Sequence, residues 1–449
     1  MTKRSTGLAV ALLAALAWPT GAGAQDAHYW TYGYGPIGQL TEGTLVGGVN
    51  DLSAVYYNPA ACALMDEPRF VLTLNSIELA NIDVPGAAGE GLDFDQLVFD
   101  VVPAMVAGHV GRHNGSSNHF AFAFLARHDS DFDLGYNTTR VSGTTPDASA
   151  GFGRFRQRLV EYWVGGTWSR RVSDRVSVGV SPFFGYRGQR SRRSVTLEQV
   201  TGADSSAAFV GSENEYNHLR LLGKLGVAWR PGRWELGATV TTPGVKLWGN
   251  GKSAFNANVS GVSGVPLLSA STQEGLSPTY HSPWSAAAGA THRWTKTAVH
   301  TTVEWFSSVD PYDILSLEPA PIAGSPETVA LTYSGAAESV VDFGIGLEHR
   351  LGDSLVVYGG AARNHSAYVA QRDTFASWDL TEVTAGLTFD RGRRRLALGV
   401  GYAWGSEDLP QVITPPGQTT PPPTRPATFS RWTISIGASL NAEQAPRTP

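Results

Sequence analysis

Apolar and polar side chains alternate with a period of two along most of this chain. In the stretch 394–405, apolar side chains take every second position from Leu396 to Trp404, and glycine, alanine or arginine fills the positions between them. Because successive side chains of a strand point to opposite faces, this pattern predicts strands with one apolar and one polar or glycine-rich face. The same alternation runs through 175–186, 233–240, 338–351 and 431–440.

Fourteen predicted strands are joined by connections that alternate between short and long. An even number of antiparallel strands with this layout is typical of outer-membrane barrels, whose short turns lie on the periplasmic side. We therefore predict an all-β fold, a transmembrane antiparallel β-barrel of about 14 strands over residues 69–440, closed so that no strand edge meets lipid. The strands are predicted at 69–79, 97–110, 117–128, 156–170, 175–189, 214–229, 233–248, 279–294, 297–307, 338–350, 354–363, 377–389, 394–405 and 428–440. The long connections are predicted near 80–96, 137–155, 190–213, 249–278, 308–337, 364–376 and 406–427.

A soluble β-propeller or β-sandwich is the alternative to a membrane barrel. A propeller needs a repeat of fixed period, which this sequence lacks. The 51 glycines and the 10% content of aromatic residues suit an all-β chain of either kind. The small or polar second face of most strands favours the barrel.

The first 24 residues have the features of a secretion signal. Lys3 and Arg4 form a positive start, 7–18 is apolar, and the small residues 22–24 suit a cleavage site. The alternative, a retained membrane anchor, is disfavoured because the apolar run is short. Removing residues 1–24 leaves 32 basic and 39 acidic residues, a net charge of −7. That charge disfavours nucleic acid as a partner.

Motifs for catalysis or for a resident cofactor are weak. Gly33 to Gly38 fits GxGxxG but follows no strand and opens no helix. Asp129, Asp131 and Asp133 share the first spacing of a calcium loop, whose later ligands are missing. Cys62 is the single cysteine and has no partner for a disulfide or a metal site. We therefore expect no enzymatic activity, no metal and no cofactor.

Residues 25–68, between the signal peptide and the barrel, are rich in aromatic residues. A disordered tail would be polar and poor in aromatics, whereas this segment holds five tyrosines and a tryptophan, Tyr29, Trp30, Tyr32, Tyr34, Tyr56 and Tyr57. A barrel of fourteen strands encloses a lumen too wide for wall side chains to fill. The segment is therefore predicted to fold as a plug, or hatch, inside the lumen.

The hatch motif Asn58-Pro59-Ala60, placed between the signal peptide and the first strand, resembles that of the FadL/TodX-type transporters of long-chain fatty acids and other hydrophobic compounds. The stretches 235–252, 299–315 and 341–364 also resemble barrel strands of that family. The resemblance implies a barrel of fourteen strands with an N-terminal hatch. It also implies uptake of hydrophobic small molecules, most often long-chain fatty acids, across the outer membrane of a Gram-negative-type bacterium.

The resemblance further implies lateral release of the ligand where the third strand kinks inward. The alternation of the third strand breaks after Phe124, which makes a kink a candidate there. The alternative is an ordinary exit of the strand into a loop. The candidate kink residues are Arg127, His128, Asp129, Ser130 and Asp131.

Two predicted loops, 264–270 and 311–324, are too apolar for plain solvated loops and are candidate walls of an extracellular entrance. The alternative is that these loops pack on one another. The candidate entrance residues are Leu267, Leu268, Ile314, Leu315 and Leu317. A fatty acid would also need a cation for its carboxylate. Candidates for that cation are Arg190, Arg192, Arg193 and Lys252.

Two other roles stay open at this stage. A barrel of this family could instead serve in protein secretion or surface assembly, and no residue separates that role from transport. A general porin is disfavoured because an open, wet pore needs no aromatic plug. We expect a monomer, surrounded by outer-membrane lipids and lipopolysaccharide. Residues 441–449 are predicted to form a C-terminal tail.

Overall fold

The computed structural model describes residues 27–65, 68–85, 94–111, 116–142, 147–261, 267–367, 378–410 and 424–441. The predicted signal peptide, and the predicted C-terminal tail apart from its first residue, lie outside these described residues. Two short helices, α1 (Gly35–Gly38) and α2 (Ala54–Tyr57), and a 3₁₀ helix (Pro59–Leu64) precede the strands. No helix in the described part is long and apolar enough to cross a membrane.

The strands dominate the described chain. They are β1 Pro68–Val84, β2 Phe94–Val110, β3 Asn118–Ser142, β4 Asp147–Ser173, β5 Val176–Thr201, β6 Asp204–Trp229, β7 Trp234–Thr241, β8 Val245–Ser260, β9 Leu267–Leu276, β10 Ser285–Arg293, β11 Thr297–Phe306, β12 Val309–Leu315, β13 Ala320–Pro321, β14 Thr328–Val329, β15 Tyr333–Ala337, β16 Val340–Arg350, β17 Leu355–Asn364, β18 Leu380–Arg391, β19 Arg394–Pro410 and β20 Thr424–Asn441.

Fourteen of these strands close into one antiparallel barrel. Each barrel strand pairs with its neighbours in chain order, and the ring is closed by β20 on β1, as in the pair Phe70 and Leu440. The predicted all-β barrel of fourteen antiparallel strands is therefore confirmed. The six remaining strands, β8, β9 and β12 to β15, branch from the barrel as hairpins. The hairpin strand β8 pairs with the upper half of β6, while the barrel strand β7 pairs with its lower half.

The barrel wall is apolar outside and polar or small inside. Phe122, Val164, Ile345, Val400 and Ile434 are exposed apolar side chains on five different strands. The inward positions carry small residues or hydrogen-bonded polar ones. A closed barrel with an apolar exterior meets the requirement of lipid, where every backbone polar group must be paired within the protein. Exposed tryptophans near the short turns form the aromatic girdle expected at one water–lipid boundary, with Trp168, Trp229, Trp234 and Trp294 as its members.

The prediction of long irregular loops near 137–155 and 190–213 is wrong for the described residues there. Strands β3 to β6 are 25 to 27 residues long, and their ladders continue to Ser142 paired with Asp147 and to Thr201 paired with Asp204. Both faces of these extensions are rich in polar and charged side chains, because they rise beyond the apolar band. The alternation that marks a strand in lipid is therefore absent from them.

The N-terminal segment, defined here as residues 27–65, packs against inward-facing positions around the barrel wall. Many inward glycines lie so close to it that an added Cβ would meet segment atoms within 3.0 Å. On β19, for example, a Cβ at Gly399 would lie 2.2 Å from Leu40. Glycine at these positions is therefore what lets the segment reach the wall. Such contacts occur on nine strands, at Gly179, Gly226, Gly237, Gly289, Gly346, Gly360, Gly386, Gly399 and Gly437.

Candidate functional site

The Asn58-Pro59-Ala60 motif forms a turn that is tied to the wall. The Asn58 side chain is fully buried, and its Nδ2 donates hydrogen bonds of 3.0 Å to the carbonyl oxygens of Val46 and of Val227 on β6. Its Oδ1 accepts from the Ala60 amide at 3.2 Å and caps the 3₁₀ helix, in which Pro59 takes the first position. The Ser177 hydroxyl on β5 donates to the Ala60 carbonyl at 2.7 Å.

The wall between β2 and β3 is paired over only part of its height. The described ladder runs from Val110 paired with Phe120 to Met105 paired with Leu125 and stops there. Beyond that point β2 continues in its pairing with β1, and β3 continues in its pairing with β4. A register shift between Ala126 and His128 makes Arg127 a bulge at the place where the ladder ends. Bulges of this kind bend a strand and re-aim its side chains.

The N-terminal segment supplies hydrogen bonds to the β3 backbone at this bulge. The Tyr34 hydroxyl donates to the Ala126 carbonyl at 2.8 Å, and the Thr31 hydroxyl donates to the Arg127 carbonyl at 2.6 Å. The Tyr32 hydroxyl donates more weakly to the Asp129 carbonyl, at 3.2 Å. Carbonyl groups that would otherwise lie unpaired along a strand edge are thereby satisfied.

Arg127, on the barrel wall, in turn donates hydrogen bonds to the N-terminal segment. Its guanidinium donates to the Tyr56 hydroxyl at 2.7 Å, to the Tyr34 hydroxyl at 3.2 Å and to the Tyr29 carbonyl at 2.8 Å. It also lies 5.1 Å from the ring centre of Trp163, within cation–π range. Burial raises the pKa of Tyr34 and of Tyr56, so both hydroxyls keep their protons.

The five candidate kink residues divide between the two faces of β3. Arg127 and His128 are buried, and Ser130, half-buried, follows His128 on the alternate positions that point inward. Asp129 and Asp131 instead face outward, where they form ion pairs with Arg158 and Arg156 of β4. The break in the alternation after Phe124 lies next to the register shift between Ala126 and His128. The sequence could not show which side chain meets the N-terminal segment.

Two arginines share one carboxylate higher in the lumen. Glu161 accepts from Arg220 at 2.6 Å and from Arg187 at 3.0 Å, and all three side chains are almost fully buried. Both guanidinium groups lie on the ring of Tyr280, at 4.2 Å for Arg187 and 4.6 Å for Arg220. Arg187 is also bonded to the Tyr216 hydroxyl at 3.1 Å. We call these residues the cation cluster: Glu161, Arg187, Arg220, Tyr216 and Tyr280.

The cation cluster carries more positive charge and more donors than its own residues use. Two guanidinium groups face one carboxylate. The Nε and Nη1 atoms of Arg220 and both ring nitrogens of His218 are buried and have no hydrogen-bond partner within the described structure. Unpaired buried donors are costly and in native structures mark a place where water or a ligand binds.

The residues that the sequence suggested for carboxylate binding are not brought together in the lumen. Arg190 and Arg192 lie on the outer face of β5, paired with Glu213, and Lys252 is paired with Glu215. Arg193 stacks on Phe155, 5.0 Å from its ring centre. Three cations that point inward, Arg187, Arg220 and Lys224, were not among the candidates suggested by the sequence. The period-two alternation could have identified them, because they share strand faces with the buried Phe183 and Leu222.

Four of the five candidate entrance residues are buried or partly buried in clusters among the extracellular hairpins. Ile314 and Leu315 pack with Tyr216 and Tyr333, so this apolar group borders the cation cluster. Leu317 packs on this group and on a second one, which contains Leu267. Leu268 lies on the opposite face of β9 and is 57% exposed. The contacts among these hairpins agree with the alternative that the loops pack on one another, and Tyr216 joins one of these apolar groups to the cation cluster.

A small cavity of about 70 Å³ lies between the N-terminal segment and the barrel wall. Charged side chains line much of it, including Glu42 of the segment and Lys224, Glu304, Glu382 and Arg431 of the wall. The segment therefore does not seal against a uniformly apolar surface. Around this cavity its wall contacts are polar and partly charged.

Comparison with known proteins gives a clear result for the fold. No family model and no curated protein sequence matches the chain. Among solved structures, a Pseudomonas aeruginosa FadL homologue is similar with a TM-score of 0.59 and 14% identity, over 92% of this chain and 100% of that chain. The P. putida toluene transporter TodX is similar with a TM-score of 0.60 and 14% identity, over 92% and 99%. The monoaromatic hydrocarbon channel CymD has a TM-score of 0.57 and 14% identity, over 92% and 98%.

The closed barrel with its apolar outer wall, and with residues 27–65 packed on its inward positions, defines a membrane-spanning β-barrel protein. Within that class, the chain has the fold of the FadL/TodX-type outer-membrane transporters. At this level of identity the likeness establishes the fold, and the function has to be argued from the site.

Proposed function

We propose that this protein is an outer-membrane uptake channel for hydrophobic small molecules, most specifically long-chain fatty acids, in a Gram-negative-type bacterium. The observation that carries the proposal is the pairing of an occupied lumen with a buried, donor-rich cation cluster beneath an apolar cover. A channel for ions or sugars has no use for the apolar cover. The solved structures of like fold bear names of transporters and channels for hydrophobic compounds, which supports the same role.

The cation cluster is the proposed site for the fatty acid carboxylate. Arg220 has two buried nitrogen atoms without partners, and His218 lies beside it with both ring nitrogens unbonded in the described structure. A carboxylate placed there would accept charge-assisted hydrogen bonds, which are the stronger kind. The acyl chain would extend towards the apolar group around Ile314 and Leu315. A neutral hydrocarbon would gain nothing from this part of the site, so the cluster favours an acid as substrate.

The N-terminal segment is the proposed hatch, and the unpaired stretch between β2 and β3 is the proposed lateral exit. Leu267, Ile314, Leu315 and Leu317 would form the apolar entrance. The ligand would then pass the cation cluster and meet the segment where Arg127 holds it. Release would require the Arg127 contacts to Tyr34 and Tyr56 to break. One chain contains the whole route, so we propose that the protein acts as a monomer.

Uptake of labelled oleate and labelled toluene tests the proposal in a Gram-negative strain that lacks its own fatty acid transporter. The wild-type protein should give saturable uptake of oleate. Arg220→Gln should lower oleate uptake about tenfold, as loss of one charge-assisted bond predicts, and leave any toluene uptake unchanged. A deletion of residues 26–66 should abolish saturation, because the hatch is gone. Surface labelling and the heat-dependent gel shift of barrels would check that each variant is inserted.

The outcomes distinguish uptake of fatty acids from uptake of hydrophobic compounds in general. Toluene uptake without oleate uptake would keep a hydrophobic channel and reject fatty acids as its substrates. No uptake of either compound by a correctly inserted barrel would reject transport of both. The remaining reading would then be a barrel that acts in protein secretion or surface assembly.

A further inference from the structure

The outer face of β3 to β6 changes from apolar to charged at one height around the barrel. Below this height the outward side chains are Phe124 on β3, Val164 on β4, Phe184 on β5 and Leu221 on β6, all exposed. Above it, charged residues follow in two rows across the strands. The first row, in register, is Asp131, Arg158, Arg190, Glu215 and Lys252. The second row is Asp133, Arg156, Arg192 and Glu213.

Two columns of arginines stand side by side in the middle of these rows. Arg158 is directly opposite Arg190, and Arg156 is directly opposite Arg192, on the same outer face of β4 and β5. Like charges directly opposite one another on a sheet destabilise it. Alternating the signs from strand to strand would have avoided this cost. The sequence instead places the acidic residues at the flanks, on β3 and β6.

The flanking carboxylates use only part of the hydrogen-bonding capacity of the arginines. Arg156 makes one ion pair with Asp131, at 3.2 Å, and Arg192 bonds to Glu213 at 2.7 Å. Each guanidinium has five N–H donors. The side chains of Arg156, Arg158, Arg190 and Arg192 remain 43% to 54% exposed, so donors are accessible from outside.

A groove runs between the two arginine columns. Its volume is about 480 Å³, and the four arginines line it together with Val160 and Tyr186, with the carboxylates Asp131 and Glu215 at its flanks. Tyr186 lies at the border with the apolar band, where aromatic side chains of membrane barrels meet lipid head groups. The groove thus joins an anion-binding upper part to an apolar lower part. This order matches an amphiphile with a phosphorylated head and acyl chains that lie along the barrel.

We propose that the outer face of β4 and β5 binds a phosphorylated glycolipid of the outer leaflet, with a phosphate held between Arg156, Arg158, Arg190 and Arg192. Planar guanidinium groups pair well with phosphate oxygens. A phosphate between the columns would offset the repulsion between facing arginines that the flanking carboxylates leave. The acyl chains would pack on Val164, Phe184 and the neighbouring apolar side chains. This site lies on the exterior and does not depend on the substrate that passes through the lumen.

Binding of purified lipid A to the full mature protein in detergent tests the proposal. The probes are bis-phosphorylated lipid A and the same lipid after removal of its phosphates, both measured by native mass spectrometry in EDTA. We expect the double variant Arg158→Gln and Arg190→Gln to bind the phosphorylated lipid at least tenfold more weakly than the wild type. Inorganic phosphate in millimolar excess should not displace the lipid, because it cannot use the apolar part of the groove.

The matched control removes two exposed arginines near the short turns, Arg233→Gln and Arg350→Gln, and should leave lipid affinity within twofold. If the first double variant fails to fold, Arg192→Gln serves instead, because Glu213 keeps its partner Arg190 there. Equal affinity for the phosphorylated and dephosphorylated lipids would overturn the proposal. So would binding that needs added Mg²⁺ and ignores the arginine substitutions, since the flanking carboxylates would then be the site. Full displacement by inorganic phosphate would overturn the assignment to a lipid.

Discussion

Arg127 on β3 donates a 2.7 Å hydrogen bond to the hydroxyl of Tyr56 in the N-terminal segment. The same guanidinium lies on the ring of Trp163, whose Nε1 donates to Glu161 at 2.7 Å. Glu161 in turn holds Arg187 and Arg220. A continuous set of contacts therefore runs from the cation cluster to the segment. A carboxylate bound to Nε and Nη1 of Arg220 would share that guanidinium with Glu161, which accepts from its Nη2 atom, and so could weaken the first contact of that set.

Replacing Arg127 with alanine should loosen the N-terminal segment without unfolding the barrel. The substitution removes hydrogen bonds to Tyr34, Tyr56 and the Tyr29 carbonyl, and bonds from a charged donor contribute about 1.5–3 kcal/mol each. We expect the docked state of the segment to lose roughly 3 kcal/mol, because such losses are not additive. Amide hydrogen exchange around residues 29–34 should then rise by about two orders of magnitude.

Arg154→Ala is the control for that substitution. Arg154 is an exposed arginine on the outer face of β4 and pairs with Asp133, so its loss should leave stability almost unchanged. Exchange in the N-terminal segment should stay at the wild-type rate. Equal exchange rates in Arg127→Ala and the wild type would show that Arg127 does not hold the segment.

Replacing Arg220 should discriminate between charged and neutral ligands of the same length. In Arg220→Gln, the affinity for oleate should fall by about tenfold or more, which corresponds to roughly 1.5 kcal/mol for one charge-assisted bond. The affinity for oleyl alcohol should change by less than threefold. Isothermal titration of both ligands into the detergent-solubilised protein measures this difference. Lys296→Gln is the control, since Lys296 is exposed in the short turn before β11.

A parallel fall for oleate and oleyl alcohol would argue against the carboxylate assignment. It would point to lost packing on Tyr280 instead. Arg187→Gln is a less selective change than Arg220→Gln, because Arg187 is already bonded to Glu161, Tyr216 and Gln189.

The barrel could be predicted from the sequence because contact with lipid constrains the outward side chains of its strands. Outward residues such as Val341, Phe343 and Ile345 must be apolar, so the period of two survives wherever the wall crosses the apolar band. Above the band, that constraint ends. Residues 190–201 carry charges on both faces, a pattern that predicts a loop, although they continue β5. The strand is held there by a full ladder with β6 and by cross-strand ion pairs.

The site was harder to predict because its contacts join residues far apart in the chain. The break in the alternation near Arg127 was visible, but its partners Tyr34 and Tyr56 lie 93 and 71 residues away. The sequence could likewise show that Arg190 and Arg192 are basic, but it could not show that they lie on the outer face of β5. Because these neighbouring residues are charged, the alternation is hard to recognise there. Arg187, which points inward like Phe183, was therefore overlooked.

Asn58 should be essential for docking of the 3₁₀ helix. Asn58→Ala leaves the buried carbonyls of Val46 and Val227 without a donor, and each unsatisfied group costs about 1–3 kcal/mol. Asn58→Asp should be at least as harmful, because a carboxylate would face both carbonyl oxygens. Limited proteolysis between residues 46 and 65 should accelerate at least tenfold in both variants. Asn50→Ala is the control, since Asn50 is exposed, and it should leave the cleavage rate unchanged.

Rapid cleavage of Asn58→Ala alone, with Asn58→Asp resistant, would contradict this assignment. It would mean that the cap of the Ala60 amide matters and that the two donated bonds do not. The aspartate can still accept from Ala60 but can donate to neither carbonyl.

Glu42 should make docking of the N-terminal segment depend on pH. Burial, with the nearby Glu382 carboxylate adding to it, raises the pKa of Glu42 to about 8. Arg431 faces the same cavity and opposes the shift. The released segment should have the ordinary glutamate pKa of about 4.3. Between these two values the docked state holds a proton that the released state has lost. Docking is therefore strongest below about pH 4.3 and weakens as the pH rises towards 8, by at most ~1.4 kcal/mol per pH unit.

Glu42→Gln should remove this dependence, because glutamine mimics the protonated acid at every pH. The measurement is the opening free energy of the segment, obtained from amide exchange rates corrected for their intrinsic pH dependence, at several values between pH 5 and 8. Asp51, whose pKa is also raised by burial, remains in both proteins and gives a common background. The wild type should lose protection as the pH rises, and the variant should lose less. Parallel profiles would mean that Glu42 is already ionised in the docked segment, with Arg431 as its partner.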